Sequence, residues 1–369
     1  MFRDMCTVLG APFGSDCLRY VKIISKSKQK PILHPVILPH LLFRKIYEDK
    51  DLFGRIMLGG HSNAGWFWQN CKDFVSGHPT LKDKSRSELR KIIPLGFHGD
   101  GGAFSEAESV VVISWNSLIG AGSAKDTRLV FTFVKKSDLD TEAYNILWRV
   151  FSWSMNCLLS GKFPTEDWLG RIDTSDRAGG TLAENFAGAT VLMRGDWQFY
   201  SEVMQFPRHN EVRNNCYLCQ AGLSNPALRY SDASPAAGWR ATCRTNSSYA
   251  AELAALGRRV PVLLDTLIGL DIRNIMVDVL HAVDLGVGAC VIGNILAEVL
   301  PQFGANQKER LANLNAELQR WYSYLSIIIH NQLFKIISHS YSYMLCRSTR
   351  SPVCPFRDEM DTLRDPHTL

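Results

Sequence analysis

The 369-residue chain has no Gly-x-x-x-x-Gly-Lys loop, no dinucleotide-binding glycine pattern and no Gly-x-Ser-x-Gly elbow. Kinase, dehydrogenase and α/β-hydrolase chemistry therefore have no support, and no small-molecule cofactor is expected. Long apolar runs are also missing. The longest, Leu285 to Ala297, is too short to span a bilayer and holds Asn294 inside it, so no membrane partner is expected. Arg3, Asp4 and Asp16 break any apolar stretch near the start, which argues against a secretory signal and for an intracellular chain. Ten cysteines in such a chain are expected as thiols with room for one metal site, not as a disulfide framework. No internal repeat is present.

What is present is a globular composition, 46% hydrophobic and 21% charged, in a chain long enough to bury a sizeable core. The net charge of +5 is unevenly spread: residues 1–90 hold fifteen Lys and Arg against eight acids, while the rest hold 26 against 28. Lys22, Lys26, Lys28 and Lys30 crowd together. Such a basic segment can contact phosphate, and a solvated lysine-rich face gives the same pattern. Residues 1–90 read as mostly helical or irregular, with Pro39 opening a helix through Leu41, Leu42, Ile46 and Tyr47.

From residue 91 the pattern changes. Ile92–Phe97, Ser109–Trp115 and Arg128–Val134 are short runs rich in Val, Ile and Phe, separated by glycines, as in an antiparallel meander. Residues 141–160 carry apolar side chains at helical spacing and end at Gly161. Ala187–Met193 supplies a fourth strand. An order β-β-β-α-β over 91–209 is the beginning of an RNase H-like core, so the expected class is α+β (α/β-like). It would hold a mixed sheet of about five strands with a helical, Cys-containing insertion at 210–330. Within that insertion helices are expected at 248–257, 272–300 and 306–328. Residues 331–369 lack coherent periodicity and read as an irregular tail.

Each outer strand of this pattern closes on a Gly-Asp pair: His98-Gly99-Asp100-Gly101 and Arg194-Gly195-Asp196-Trp197. Carboxylates at the ends of neighbouring strands can converge on a pair of Mg²⁺ ions for phosphodiester chemistry, and glycine beside them would let substrate backbone approach. A Gly-Asp turn after a strand is the plainer alternative. A third acid is needed; Glu298 is the candidate, with Asp284, Glu309 and Glu317 competing. His98 and Arg194 flank the acids and could touch phosphate. Trp197, Phe199, Tyr200 and Phe206 could stack on bases or form core. Further on, Cys216-x-x-Cys219 has zinc-ligand spacing but needs a second ligand pair, which Asp278-x-x-His281 can supply, with Cys243 or Cys290 as substitutes.

In these motifs and their order the chain resembles eukaryotic cut-and-paste DNA transposases with an RNase H-like D-D-E core, of the CACTA and Kyakuja–Dileera–Zisupton type. Over 90–320 it is also similar to multicopy proteins of dinoflagellate genomes derived from such elements. The resemblance implies Asp100 and Asp196 as the first two catalytic acids and Mg²⁺ as their cofactor. It further implies Zn²⁺ on Cys216, Cys219, Asp278 and His281, DNA as partner and a nuclear location. Two departures stand out. The family's last glutamate lies well beyond the Asp-x-x-His motif, where the periodic sequence here is ending, and no N-terminal zinc-finger domain is recognisable. Both imply a truncated or domesticated copy, in which nucleic-acid binding can outlast strand cleavage.

Overall fold

In a computed structural model, residues 15–60, 64–105, 108–207, 216–222, 225–276 and 288–325 are described. The chain divides into two compact units, 1–277 and 278–369. The first is a mixed α+β unit whose centre is a four-stranded sheet of order β5-β4-β3-β6, formed by β3 (Ile92–Ser105), β4 (Glu108–Ser117), β5 (Leu129–Lys135) and β6 (Ala187–Gly195). Strands β3, β4 and β5 pair antiparallel, and β6 returns parallel to β3. A parallel return needs a crossover, and it contains the long helix α5 (Thr141–Ser160). Asp140 caps this helix by accepting from Ala143 N at 2.8 Å, and Gly161, at φ 67°, closes it. Strands and helix fall where the apolar patterning places them.

Alternation along β3 aims Leu95 and Phe97 at α5, where Phe97 packs on Phe151 with ring centroids 5.2 Å apart and Phe131 of β5 joins at 5.1 Å. The expected fifth strand is absent among the described residues. In its place Ile275 makes a single parallel bridge to Met193, and Met276 N donates to Met193 O at 2.9 Å. The helix expected from 272 does not form at its start. Ile272–Asn274 is one 3₁₀ turn, begun by the Asp271 carboxylate accepting from Arg273 N. Tyr217 and Tyr200 hydroxyls then take the carbonyls of Ile275 and Met276 at 2.7 and 2.5 Å. Residues 277–287 lie outside the described set.

The N-terminal segment differs from expectation. It opens with a hairpin, β1 (Leu18–Ser25) and β2 (Lys30–Ile37), a two-stranded sheet of its own. The lysines explain it: Lys22 alternates with buried Val21 and Ile23, a period of two, and Lys26 and Lys28 sit in the exposed turn. Helices α1 (Pro39–Glu48), α2 (Lys50–Ile56), α3 (Ala64–Asn70) and α4 (Lys72–Gly77) follow. The hairpin and α1 share the core of the sheet, and two buried histidines seal the joins. His34 Nε2 lies 2.7 Å from the Thr132 hydroxyl, which itself donates to Pro35 O; His40 Nδ1 lies 2.7 Å from Ser154 Oγ on α5.

Beyond β6 come α6 (Trp197–Val203), α7 (Asn246–Ala255) and α8 (Val262–Thr266), whose Tyr200, Leu253 and Leu263 enter the same core. The second unit holds α9 (Ala289–Val299) and α10 (Gln307–Leu325), with Leu296, Leu300 and Leu314 as its small core. No helix among the described residues is long and apolar enough to cross a membrane.

Burial lowers the pKa of His34 to about 4 and of His40 to about 3, against 6.5 for a free imidazole. Below pH ~6.5 the unfolded chain binds protons that the folded chain refuses, so stability falls as the pH drops towards the folded values. Each histidine adds up to ~1.4 kcal/mol per pH unit inside that window. Urea unfolding at pH 7, 6 and 5 should show this loss, and His34→Gln should flatten it; an unchanged slope in that variant would rule His34 out as a source.

Candidate functional site: the paired Gly-Asp strand ends

The parallel register of β3 and β6 sets His98 opposite Arg194 and Gly99 opposite Gly195. Asp100 and Asp196 are the next residue on each strand, so the backbones of the two candidate acids are neighbours. Their side chains serve differently. Asp196 ends β6 as the N-cap of α6, and its carboxylate accepts from Phe199 N at 2.6 Å. Asp100 remains inside β3, paired with Val112, and is exposed.

The glycines have a packing cause. A Cβ on Gly99 would fall 1.9 Å from the Phe199 ring, and one on Gly195 would fall 2.6 Å from it. The cap on Asp196 thus turns α6 so that its buried Phe199 ring lies across both glycines, with Trp148 of α5 edge-on at 6.0 Å. The glycines accommodate this ring where the sequence pointed to an approaching substrate backbone. Phe199, Tyr200 and Phe206 are core residues, and Trp197 is half-buried with its indole N–H donating to Pro207 O at 2.7 Å.

Asp196 also lines a cleft of about 150 Å³ with Gly101, Tyr144 and Glu202. Glu202, an acid the sequence gave no reason to select, is held there by Lys136 Nζ at 3.1 Å, Gln198 Nε2 at 3.0 Å and the Tyr144 hydroxyl at 3.3 Å. Burial, with Glu202 beside it, pushes the Tyr144 phenol above its ordinary pKa. Since residue 99 faces Phe199, strand alternation turns Asp100 to the opposite face of the sheet, with His98, Val112 and Asn116.

Glu298 is exposed on α9 in the second unit. Asp278 and His281 lie outside the described residues. Cys216 and Cys219 do meet: the Cys219 thiol donates to Cys216 Sγ at 3.1 Å, and burial together with that bond raises Cys219 to about 11. Arg244, which no spacing signal marks, braces the pair. Its Nη1 donates to the carbonyls of Cys216 and Cys219 at 2.8 and 2.5 Å, its backbone N donates to Leu218 O, and its Nε grips both oxygens of Glu252. The neighbouring Cys243 is thereby carried beside the Cys-x-x-Cys turn. Among the described residues no group of three His, Cys, Asp or Glu side chains is gathered as for a metal ion.

No protein-family profile and no curated protein matches the chain. What can be said of function therefore comes from the site itself.

Gly99→Ala should force Phe199 off the sheet and cost ~1–3 kcal/mol, the range of overpacked cores, whereas Gly102→Ala, with open space around it, should cost little. Chemical denaturation of both variants tests this; equal stability would show that the ring contact is dispensable.

Proposed function

We propose that this chain is a transposase-derived nucleic-acid-processing protein with an RNase H-like core. The observation that carries it is the β3–β6 register, which sets Gly99 against Gly195 and so makes Asp100 and Asp196 backbone neighbours on the first and fourth strands of the sheet. Support comes from the strand order β5-β4-β3-β6 with a crossover helix before the parallel strand, the order that an RNase H-like core requires. Four exposed lysines on or beside the β1–β2 turn add a surface suited to phosphate.

On this reading Mg²⁺ is assigned to Asp100 and Asp196 and when bound would polarise a phosphodiester and activate water; as the strands stand, the two carboxylates leave the sheet on different faces and do not share one ion. Asp196 keeps one carboxylate oxygen beyond its bond to Phe199 N, and it faces a cleft deep enough for a small group. Its cap fixes the direction of that oxygen. Lys136 in the same cleft can balance negative charge. Glu298 stays the sequence's candidate for the third acid. In the second metal site, Cys216 and Cys219 would supply two thiolates to Zn²⁺, and the close approach of the two thiols suits a chelate.

One observation favours a second reading. Asp100 sits on the opposite face of the sheet from the cleft that Asp196 lines, an arrangement in which the fold binds nucleic acid without cutting it.

Supercoiled plasmid incubated with the full chain and Mg²⁺ or Mn²⁺ separates the two. Asn is as good an N-cap as Asp, so Asp196→Asn keeps α6, and Asp100→Asn changes an exposed residue; either should abolish nicking on the first reading. Undiminished nicking in both variants would remove the acids from the site, while plasmid binding with no nicking by the wild type selects the second reading. Elemental analysis of purified protein should find one zinc per chain, lost in Cys216→Ser; a chain purified without zinc would dispose of that centre.

A further inference from the structure

The face of the sheet turned away from α5 carries two arginines without acid partners. Arg194, on β6, reaches back along the sheet: its guanidinium lies over Gly96, with Nη2 3.3 Å from where a Cβ on that glycine would stand, and it donates from Nη2 to Asn116 Oδ1. Leu118 and Leu192 stand on either side of Gly96. Asn116 is the register partner of Gly96, and Arg128 immediately precedes Leu129, the β5 partner of Trp115. Only Arg194 bonds to this asparagine, and the charge of Arg128 acts on Arg194.

Neither makes an ion pair among the described residues. Arg194 is half-buried, and its Nε is a buried donor with no acceptor. Burial, then the charge of Arg128, pull its pKa below the usual arginine value, with the Tyr200 phenol acting the other way. The acid closest in sequence to Arg128, Asp126, is taken by Ser123, whose hydroxyl and backbone N donate to it at 2.7 and 3.2 Å, and Asp196, two residues beyond Arg194, caps α6. A half-buried cation without an ion-pair partner among the described residues is costly to keep, and a planar fork of donors near a second guanidinium matches the oxygens of a phosphate.

We infer that Arg194 and Arg128, with Asn116 holding the Arg194 fork in place, form a phosphate-binding shelf on this face. The phosphate would be a backbone phosphodiester of nucleic acid or a free phosphate ion; only the first source rests on the function proposed above. The shelf lies on the side of the sheet that Asp100 faces. Gly96 is the clearance that lets the guanidinium lie flat.

Inorganic phosphate is the direct probe. Titrated against the full chain at constant ionic strength, with chloride as the control, it should raise the thermal midpoint of the wild type. Arg128→Gln, a change at an exposed residue, should weaken the apparent affinity about tenfold or more, and Arg194→Gln should remove the effect. Arg194→Lys keeps the charge without the fork and should recover only part of it. No phosphate-specific shift in the wild type, or the same shift in Arg128→Gln and Arg194→Gln, would overturn the shelf. A labelled mixed-sequence oligonucleotide then identifies the source. If the phosphate is a backbone diester, the salt dependence of binding should lose about one unit of slope in Arg128→Gln. An unchanged slope alongside lost phosphate binding assigns the shelf to free phosphate. Failure of the wild type to bind the oligonucleotide at all would count against the nucleic-acid function and leave the shelf to the phosphate result.

Discussion

The Phe199 ring lying on Gly99 and Gly195 is the contact on which the arrangement of this site depends. Remove the side chains at two register-paired positions of neighbouring parallel strands, and the sheet gains a flat patch that one aromatic ring can cover. The ring must then be delivered from the right direction. Asp196 does so, because its carboxylate accepts from the backbone N of Phe199 itself and fixes the first turn of α6. A single dipeptide thus supplies clearance and aim together, and Trp148 of α5 closes over the ring from the far side. Glycine and aspartate at the end of β6 are accounted for by packing before any catalytic role is assigned to them.

This has a consequence for how the two Gly-Asp pairs are compared. They look alike in sequence, yet only Asp196 leaves its strand; Asp100 continues in β3 and keeps its pairing with Val112. Because strand side chains alternate, that one difference sends the two carboxylates towards different faces. Backbone adjacency and side-chain convergence are separate conditions for a metal site, and the register satisfies the first of them. The same split divides the sheet chemically. The α5 side holds the cleft with Asp196 and Glu202, while the far side holds Arg194, Arg128 and Asn116.

How much of this was legible beforehand follows from the range of the forces involved. The meander, the crossover helix to the residue and the parallel return are set by local periodicity and capping, with Asp140 and Gly161 marking the ends of α5. The β1–β2 hairpin is written in the period-two alternation of Val21, Lys22 and Ile23, a signal that the lysine crowding masks as a charged segment. The missing start of the 272–300 helix was not legible. There Tyr200 and Tyr217, from more than fifty positions away, tie down the carbonyls of Met276 and Ile275 through their hydroxyls. Arg244 was hidden for the same reason: a buried arginine that braces Cys216 and Cys219 through their carbonyls has no spacing rule to announce it.

Arg194 shows where the two kinds of information meet. In sequence it is the residue before a Gly-Asp pair, one that could touch phosphate. In the fold its charge is held on Gly96 between two leucines, beside an asparagine, with the charge of another arginine acting on it. A protein that needed only a packed sheet could place a leucine or methionine there at lower cost in desolvation. Retaining a guanidinium on a half-buried strand, and giving it an asparagine to orient it, makes physical sense when its missing partner is an anion from outside the chain. Such an anion would lie on the face towards which Asp100 already turns.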